Sequence, residues 1–384
     1  MASKVKWLTK RLGDLAEFRN GVNYNKSSFG EGVKVVGVSD FQDYTKPRYD
    51  ELEQINPEGI VTERNILRDG DIVFVRSNGN RELIGRSLFI EKPPEEVTHS
   101  AFTIRLRFIA RDVHSKFYAY CFRTPLIRKG LTASGGGTNI SNLNQDILNA
   151  LEVPFPPLPV QRRIAGILTA YDELMESSQR RIRTLEAMAR TLYREWFVHF
   201  RFPGHEKLPR VASPLGDIPR GWKVKKIGEI LELSYGKALK QEDRHEGIVP
   251  VYGSSGVVGH HDTALIDGPG IVVGRKGNVG SVFWSDEDFY PIDTVYFVAS
   301  KLPLRFLFYD LQTKNFLNND AAVPGLNRNQ AYSLDTVIPP VDLLTRFSEL
   351  ADNFGQQASI LRNQSQNLRQ TRDLLLPYLL SGGK

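Results

Sequence analysis

Trp7-Leu-Thr-Lys-Arg-Leu-Gly-Asp14, with Glu17 and Gly21 to follow, returns 215 residues later as Trp222-Lys-Val-Lys-Lys-Ile-Gly-Glu229, with Glu232 and Gly236 to follow. Each copy leads into a stretch rich in glycine and β-branched residues, then a proline-rich entry, then about forty residues of helical pattern. The order is globule, long helix, globule, long helix. Solenoid repeats recur every roughly 20 to 50 residues and need several units; here the unit is domain-sized and there are two. Such a duplication is expected to pair its copies about an internal pseudo-two-fold axis, because one surface buries most readily against its own copy.

The chain has 384 residues, of which 41% are apolar and 24% charged, enough for two to three cores. No apolar run approaches the roughly 18 residues that a membrane span needs, and Met-Ala-Ser-Lys-Val-Lys-Trp7 lacks the apolar core of a signal peptide. The expectation is a cytoplasmic protein with no membrane partner. Cys121 is the single cysteine, so no internal disulfide can form. The net charge of +6 favours a polyanionic partner. It is unevenly spread: residues 1–150 carry 22 Lys/Arg against 18 Asp/Glu, and residues 202–340 carry 15 against 16.

Both globules read as mixed α and β. Strands are expected over Val33–Val38, Ile72–Arg76 and Phe102–Phe108, with a helix over His114–Lys129. The counterparts are Ile248–Tyr252, Ile271–Arg275 and Thr294–Val298, with a helix over Leu304–Leu317. Between the globules, Val153-Pro-Phe-Pro-Pro-Leu-Pro159 announces a helix from Gln161 to about Phe200. Ile164, Ile167, Tyr171, Leu174, Ser178, Leu185, Met188 and Leu192 give it a coiled-coil spacing. After Pro339-Pro340 a second helix places Phe347, Leu350, Phe354, Leu361, Leu368 and Leu375 at similar intervals. At 1.5 Å per residue each rod is on the order of 58 Å long.

The sequence lacks the common catalytic signatures. The Pro-Pro pairs are preceded by Lys, Phe and Ile, where an amino-methyltransferase needs Asn or Asp. No lysine has an acid two residues before it, as a common nuclease motif requires, and Gly236-Lys237 is followed by Ala238, where a phosphate loop needs Ser or Thr. Cysteine and histidine show no zinc spacing; His260-His261 is the one tempting pair, and no metal is expected.

The stretch Val153-Pro-Phe-Pro-Pro-Leu-Pro-Val-Gln-Arg-Arg-Ile-Ala-Gly-Ile-Leu168 resembles the start of the central conserved region of the specificity subunit of type I restriction-modification enzymes. Leu192-Tyr-Arg-Glu-Trp-Phe197, Asp217-Ile-Pro-Arg-Gly-Trp222 and Leu379-Leu-Ser-Gly-Gly383 match further parts of the pattern. In the second copy Leu344 and Thr345 stand where the first has Gln161 and Arg162, a departure from it. The resemblance implies an α+β chain of two mixed α/β target recognition domains, 1–152 and 202–338, separated by an antiparallel coiled coil of helices 153–201 and 339–384. It implies a non-catalytic subunit that reads a split, asymmetric site in double-stranded DNA and docks two modification (methyltransferase) subunits, joined by a restriction subunit. The chain itself would bind no cofactor; S-adenosylmethionine, ATP and magnesium would belong to its partners. Half-sites one turn of DNA apart lie roughly 34 Å from each other, a span that rods of this length can support. The alternative is a stand-alone two-headed DNA-binding or scaffold protein of another defence system.

Arg and Lys read guanine, Asn and Gln read adenine, and small or basic residues let loops approach phosphates. The candidate DNA-binding residues of the first head are therefore Asn25, Lys26, Arg76, Asn78, Arg81, Thr138, Asn139 and Asn142. Those of the second are Lys237, Lys240, Ser254, Arg275, Lys276, Asn278, Asn327 and Arg328. Arg76 and Arg275 rank first, because each ends an Ile-Val-x-x-Arg strand before Asn and Gly; an arginine that merely closes a strand edge is the competing reading. Tyr193, Trp196 and Phe197 read either as core or as an interface for the modification subunit. Arg180-Arg-Ile-Arg183 reads as a solvated helix face.

Overall fold

A computed structural model describes residues 7–42, 45–133, 142–316 and 325–380. The chain divides into two compact units, Met1–Glu176 with Gln366–Lys384, and Ser177–Ser365. Each unit therefore holds one head and a part of both long helices.

The strands of the first unit are β1 (Leu8–Arg11), β2 (Ala16–Asn20), β3 (Phe29–Val36), β4 (Gln54–Ile55), β5 (Ile72–Val75), β6 (Ser87–Phe89), β7 (Val97–His99), β8 (Thr103–Phe108) and β9 (Glu152–Phe155). They form a four-stranded sheet β2-β8-β5-β6, a three-stranded sheet β4-β3-β7 and a ribbon β1-β9. In the second unit β10 (Arg210–Val211) and β11 (Ile218–Pro219) make an added ribbon. They are followed by β12 (Lys223–Lys226), β13 (Glu232–Tyr235), β14 (Val249–Gly253), β15 (Gly256–His261), β16 (Gly270–Gly274), β17 (Val282–Ser285), β18 (Tyr290–Pro291), β19 (Val295–Ala299) and β20 (Asp335–Ile338). The order repeats: β13-β19-β16-β17, β15-β14-β18 and β12-β20. In each three-stranded sheet one pair is parallel, β3 with β7 and β14 with β18.

The central strands explain why the run Ile-Val-x-x-Arg recurs. Ile72 and Phe74 pack into the core on the helix side of the sheet, while Val73 and Val75 pack into a second cluster on its other face. Ile271 and Val273 take one face of β16 and Val272 the other. A strand covered on both faces reads as a continuous apolar run, and the arginine marks where it leaves the interior.

Helices α1 (Ser115–Cys121) and α2 (Pro125–Ala133) replace the single helix expected over His114–Lys129. Pro125 has no N–H to continue the ladder, and the Thr124 hydroxyl donates to the Cys121 carbonyl at 2.7 Å, closing the first helix. Cys121 lies wholly inside the core, where burial pushes its thiol pKa up. Short helix α3 (Gln145–Ala150) is capped by Asn144, which accepts from Ile147 N at 2.8 Å. The long α4 (Leu158–Tyr193) ends in a π-helical turn, Arg194–Val198. The second unit adds α5 (Ile227–Ile230), α6 (Leu304–Gln312), which is shorter than expected, α7 (Arg328–Ser333) and most of α8 (Val341–Leu380). No helix among the described residues is long and apolar enough to cross a membrane.

The seam of the long helices differs from its sequence reading. Ile167, Leu174 and Met188 are 37, 55 and 47% exposed, and Leu350 is 40%. The buried positions include Gln161, Ile164, Ala165, Leu168, Ser178, Ile182 and Ala189 on α4 and Leu344, Phe347, Ala351, Ala358 and Leu361 on α8. Small residues at the contact let helix backbones approach, so a pattern of large apolar residues alone misplaces the stripe. The start of α4 and the end of α8 meet in the first unit, where Leu376 joins Ile164 and Leu168 in the core. Arg372 ties them further, donating to Asp172 at 2.6 Å. In the second unit Ile182 and Leu185 pack on Ala358 and Leu361, and Arg362 donates to Glu186 at 2.6 Å. The two helices thus run antiparallel within each unit.

Candidate nucleic-acid interface

The duplication extends to single hydrogen bonds. Arg76 N donates to the Phe102 carbonyl at 2.8 Å, and Leu143 N donates to the Arg76 carbonyl at 2.8 Å. In the second unit Arg275 N donates to Thr294 O at 2.9 Å and Leu326 N to Arg275 O at 2.8 Å. Isolated bridges join Ser77 to Asn142 and Lys276 to Gly325. Beside each bridge an asparagine, Asn144 or Asn327, caps the next short helix. Both arginines are therefore clamped through their backbones at equivalent places, with only the side chain left to vary.

The side chains do vary. The half-buried Arg76 has no side-chain partner among the described residues. Arg275 donates from Nε and Nη2 to the Asp293 carbonyl at 3.0 and 2.6 Å. Its guanidinium also lies over Tyr235 at 5.2 Å and Tyr296 at 5.9 Å. Arg328, set by the Asn327 cap, lies over the same Tyr235 at 5.3 Å. Burial first, then the neighbouring Tyr235, push the Tyr296 hydroxyl up to about 12, so this ring stays neutral beside the guanidinium. Arg275 thus closes a strand edge and keeps one donor fork ordered at the surface.

Around Arg275 the structure gathers several candidates. Asn278 donates to Ser255 Oγ at 3.3 Å, and the Ser281 hydroxyl donates to the carbonyl of Ser254 at 2.8 Å, so the β14–β15 turn meets the loop after β16. Lys276 and Asn327 are exposed beside them, and the exposed Lys237 is held by its N–H on Pro291 O at 3.0 Å. Lys240 stands apart, 3.6 Å from Glu242. In the first unit Asn78 accepts from Asn80 N at 2.6 Å, a turn-forming role. Asn142 is exposed beside Ser77. Asn25 caps its own turn, accepting from Ser27 N at 2.9 Å, with Lys26 exposed next to it. Arg81 opens a short 3-10 turn. Thr138 and Asn139 lie outside the described residues.

Two aromatic residues escaped the sequence reading. Phe102, 61% exposed, supplies the carbonyl that holds Arg76, and Tyr235, 52% exposed, is the platform for Arg275 and Arg328. The usable signal was an aromatic at a strand end beside a Gly- and Asn-rich loop. Tyr193, Trp196 and Phe197 are corrected as a docking patch: they are 4, 6 and 6% exposed in the core of the second unit. The π-helical turn supplies the physical reason. Its wider winding, together with Tyr193, points three aromatics at Phe306, Phe347 and Trp222. His261 meets His245 and Asp262 rather than His260. His245 N donates to His261 Nδ1 at 3.1 Å, and Asp262 lies 3.2 and 3.3 Å from the two rings, so hydrogen bonds within the group account for its arrangement.

Known proteins match along the chain. The family described as the type I restriction modification DNA specificity domain matches residues 4–187 and 219–340. The MjaIX type I restriction enzyme specificity subunit of Methanocaldococcus jannaschii is 24% identical, over 98% of this chain and 93% of its own length. The putative MjaX specificity subunit of the same organism is 30% identical over 58% of this chain and 52% of its own length. The crystal structure of the type I restriction-modification S subunit from M. genitalium shares the fold, with a TM-score of 0.60, 17% identity, and coverage of 99% of this chain and 97% of that one. With the duplicated sheets and the family match on both copies, the chain belongs to the type I restriction-modification specificity subunits, the non-catalytic members that recognise the DNA target within the restriction-modification complex.

Proposed function

We propose that each unit reads one part of a split, asymmetric sequence in double-stranded DNA, through the surface around Arg76 in the first unit and around Arg275 in the second. The observation that carries this reading is the clamped arginine, fixed by the same pair of backbone bonds in both units yet surrounded by different side chains. A held backbone positions a base reader without using up its side chain, and direct readout needs such positioning. Asn142, Lys276, Asn278 and Arg328 sit next to the two arginines; Asn25, Lys26, Asn78, Arg81, Lys237, Lys240, Ser254 and Asn327 serve as flanking contacts or loop formers. Thr138 and Asn139 belong to the proposed surface by sequence alone.

The long helices act as the spacer and as the docking surface for two methyltransferase subunits, which carry S-adenosylmethionine and through which an ATP- and magnesium-dependent restriction subunit joins. The proposed division of the chain is 1–152 and 202–338 for reading, 153–201 and 339–384 for spacing and assembly. Selection of bound duplexes from a random pool, using the chain with its methyltransferase, tests the whole reading. Two unlike half-sites at a fixed spacing are expected; one contiguous motif, or two identical halves, would overturn it.

A further inference from the structure

On the first unit's four-stranded sheet, away from the Arg76 loop, lies a pocket of about 420 Å³ lined by Glu17, Arg19, Arg64, Arg68, Arg105 and Arg107 among others. The strand register builds it: Arg19 faces Arg105, and Glu17 faces Arg107, across β2 and β8. Two arginines are anchored. Arg107 pairs with Asp71 through Nε at 2.7 Å and Nη2 at 2.6 Å, and Arg105 donates to Glu17 at 2.8 Å and to the Arg64 carbonyl at 3.2 Å. Arg68 pairs with Glu63 at 3.2 Å. Arg19 and Arg64 have no side-chain partner among the described residues, so five guanidiniums meet three carboxylates.

Two further observations accord with this excess of guanidinium groups. Arg105 is 3% exposed, and its Nε is buried without a partner. The adjoining His99 is held down to about 3, by burial first and then by Arg105, Arg19 and Arg107. At the equivalent register the second unit carries Ser234 opposite Phe297 and Glu232 opposite Ala299, with no arginine. Among the described residues, arginines at these register positions occur in the first head only.

We propose that this pocket takes one phosphodiester of the DNA strand that the first unit reads, held by Arg19 and Arg64 with Arg105 behind them; this rests on the DNA-reading role of that unit. Guanidinium forks match phosphate oxygens in pairs. Arg105 lies across from Val73, three residues before Arg76. At roughly 3.3 Å per residue that is about 10 Å along the sheet, a separation that one bound duplex can span.

The test uses the full-length chain and its Arg19→Gln/Arg64→Gln double variant, with duplex binding of arbitrary sequence followed against salt. Loss of one phosphate contact makes the slope of log K against log salt shallower by about 0.9. The Arg19→Lys/Arg64→Lys variant, which keeps the charges, restores most of the slope. An unchanged slope in the Gln variant overturns the proposal. If the wild-type chain binds no duplex, both the DNA-reading role and this source of phosphate fail. Titration with inorganic phosphate then decides whether an anion pocket exists: heat lost in the Gln variant keeps it, with a phosphate from elsewhere, and no heat with either protein removes it.

Discussion

At matching points of one shared sheet, the first unit places Asp71, Arg105 and Arg107 where the second places Gly270, Phe297 and Ala299. Helix entry shows the same contrast. Gln161 is fully buried and makes three hydrogen bonds, accepting from His114 N and donating to the Asp112 and Pro156 carbonyls, whereas Leu344 in the second copy packs among apolar neighbours. The two clamped arginines differ too: among the described residues Arg76 has no side-chain partner, whereas Arg275 is tied down. One backbone framework therefore tolerates a polar and an apolar solution, because hydrogen bonding in one and burial in the other satisfy the same space.

The largest way to break this symmetry is Asp71→Ala. Asp71 is 1% exposed, and its removal strands Arg107, which is 20% exposed. Orphaned buried charges cost 3 to 5 kcal/mol, reduced here by Arg107's partial exposure to about 3. Hydrogen exchange should show loss of protection in the first unit alone; equal loss in both would overturn this expectation. Next come Gly21→Ala and Gly236→Ala, which must hurt alike. A Cβ at Gly21 would lie 2.1 Å from the His99 carbonyl oxygen, and one at Gly236 2.2 Å from that of Ile292. With backbone on both sides, about 2 to 3 kcal/mol of destabilisation is expected for each. A melt in which only one variant drops would show that the frameworks are less alike than their hydrogen bonds indicate.

Arg76→Ala and Arg275→Ala sharpen the contrast at the surface. Each should weaken binding by about 1 to 3 kcal/mol through one half-site only. Only Arg275→Ala should also lower stability, since it removes two hydrogen bonds and a stacked cation. Base-by-base competition with mutated duplexes, with melts run in parallel, separates the effects; a uniform loss on every sequence would make either arginine a phosphate contact.

The effect that is smallest at neutral pH is one of acid. His99 Nδ1 lies 2.9 Å from Thr103 Oγ1, whose proton goes to the Ser100 carbonyl, so Nδ1 is the donor, while burial and the neighbouring arginines keep the ring neutral. Its pKa of about 3 in the folded chain lies below its ordinary value of 6.5, so the unfolded chain binds the proton first. This contribution is whole above pH 6.5 and is lost as pH falls toward 3, at up to about 1.4 kcal/mol per pH unit. Pro291 occupies the matching place in the second unit. Acid titration followed by exchange should open the first unit earlier, and simultaneous opening would count against His99.

Sequence alone carried the duplication, the long helices and the location of the two arginines, because these rest on short-range pattern: a repeated string, helical spacing, and an apolar run that stops at a charge. Asn25, Asn78 and Asn327 were found by residue type, which could not distinguish a base reader from a turn or helix cap. Only the tertiary structure decided that Tyr193, Trp196 and Phe197 are interior and that Ile182, Ala358 and Leu361 meet in the helix seam. It also placed Arg19, Arg64 and Arg105, scattered along the sequence, around one pocket. Those outcomes depend on which strands pair and in which register, and cross-strand neighbours leave no periodic trace in the chain that forms them.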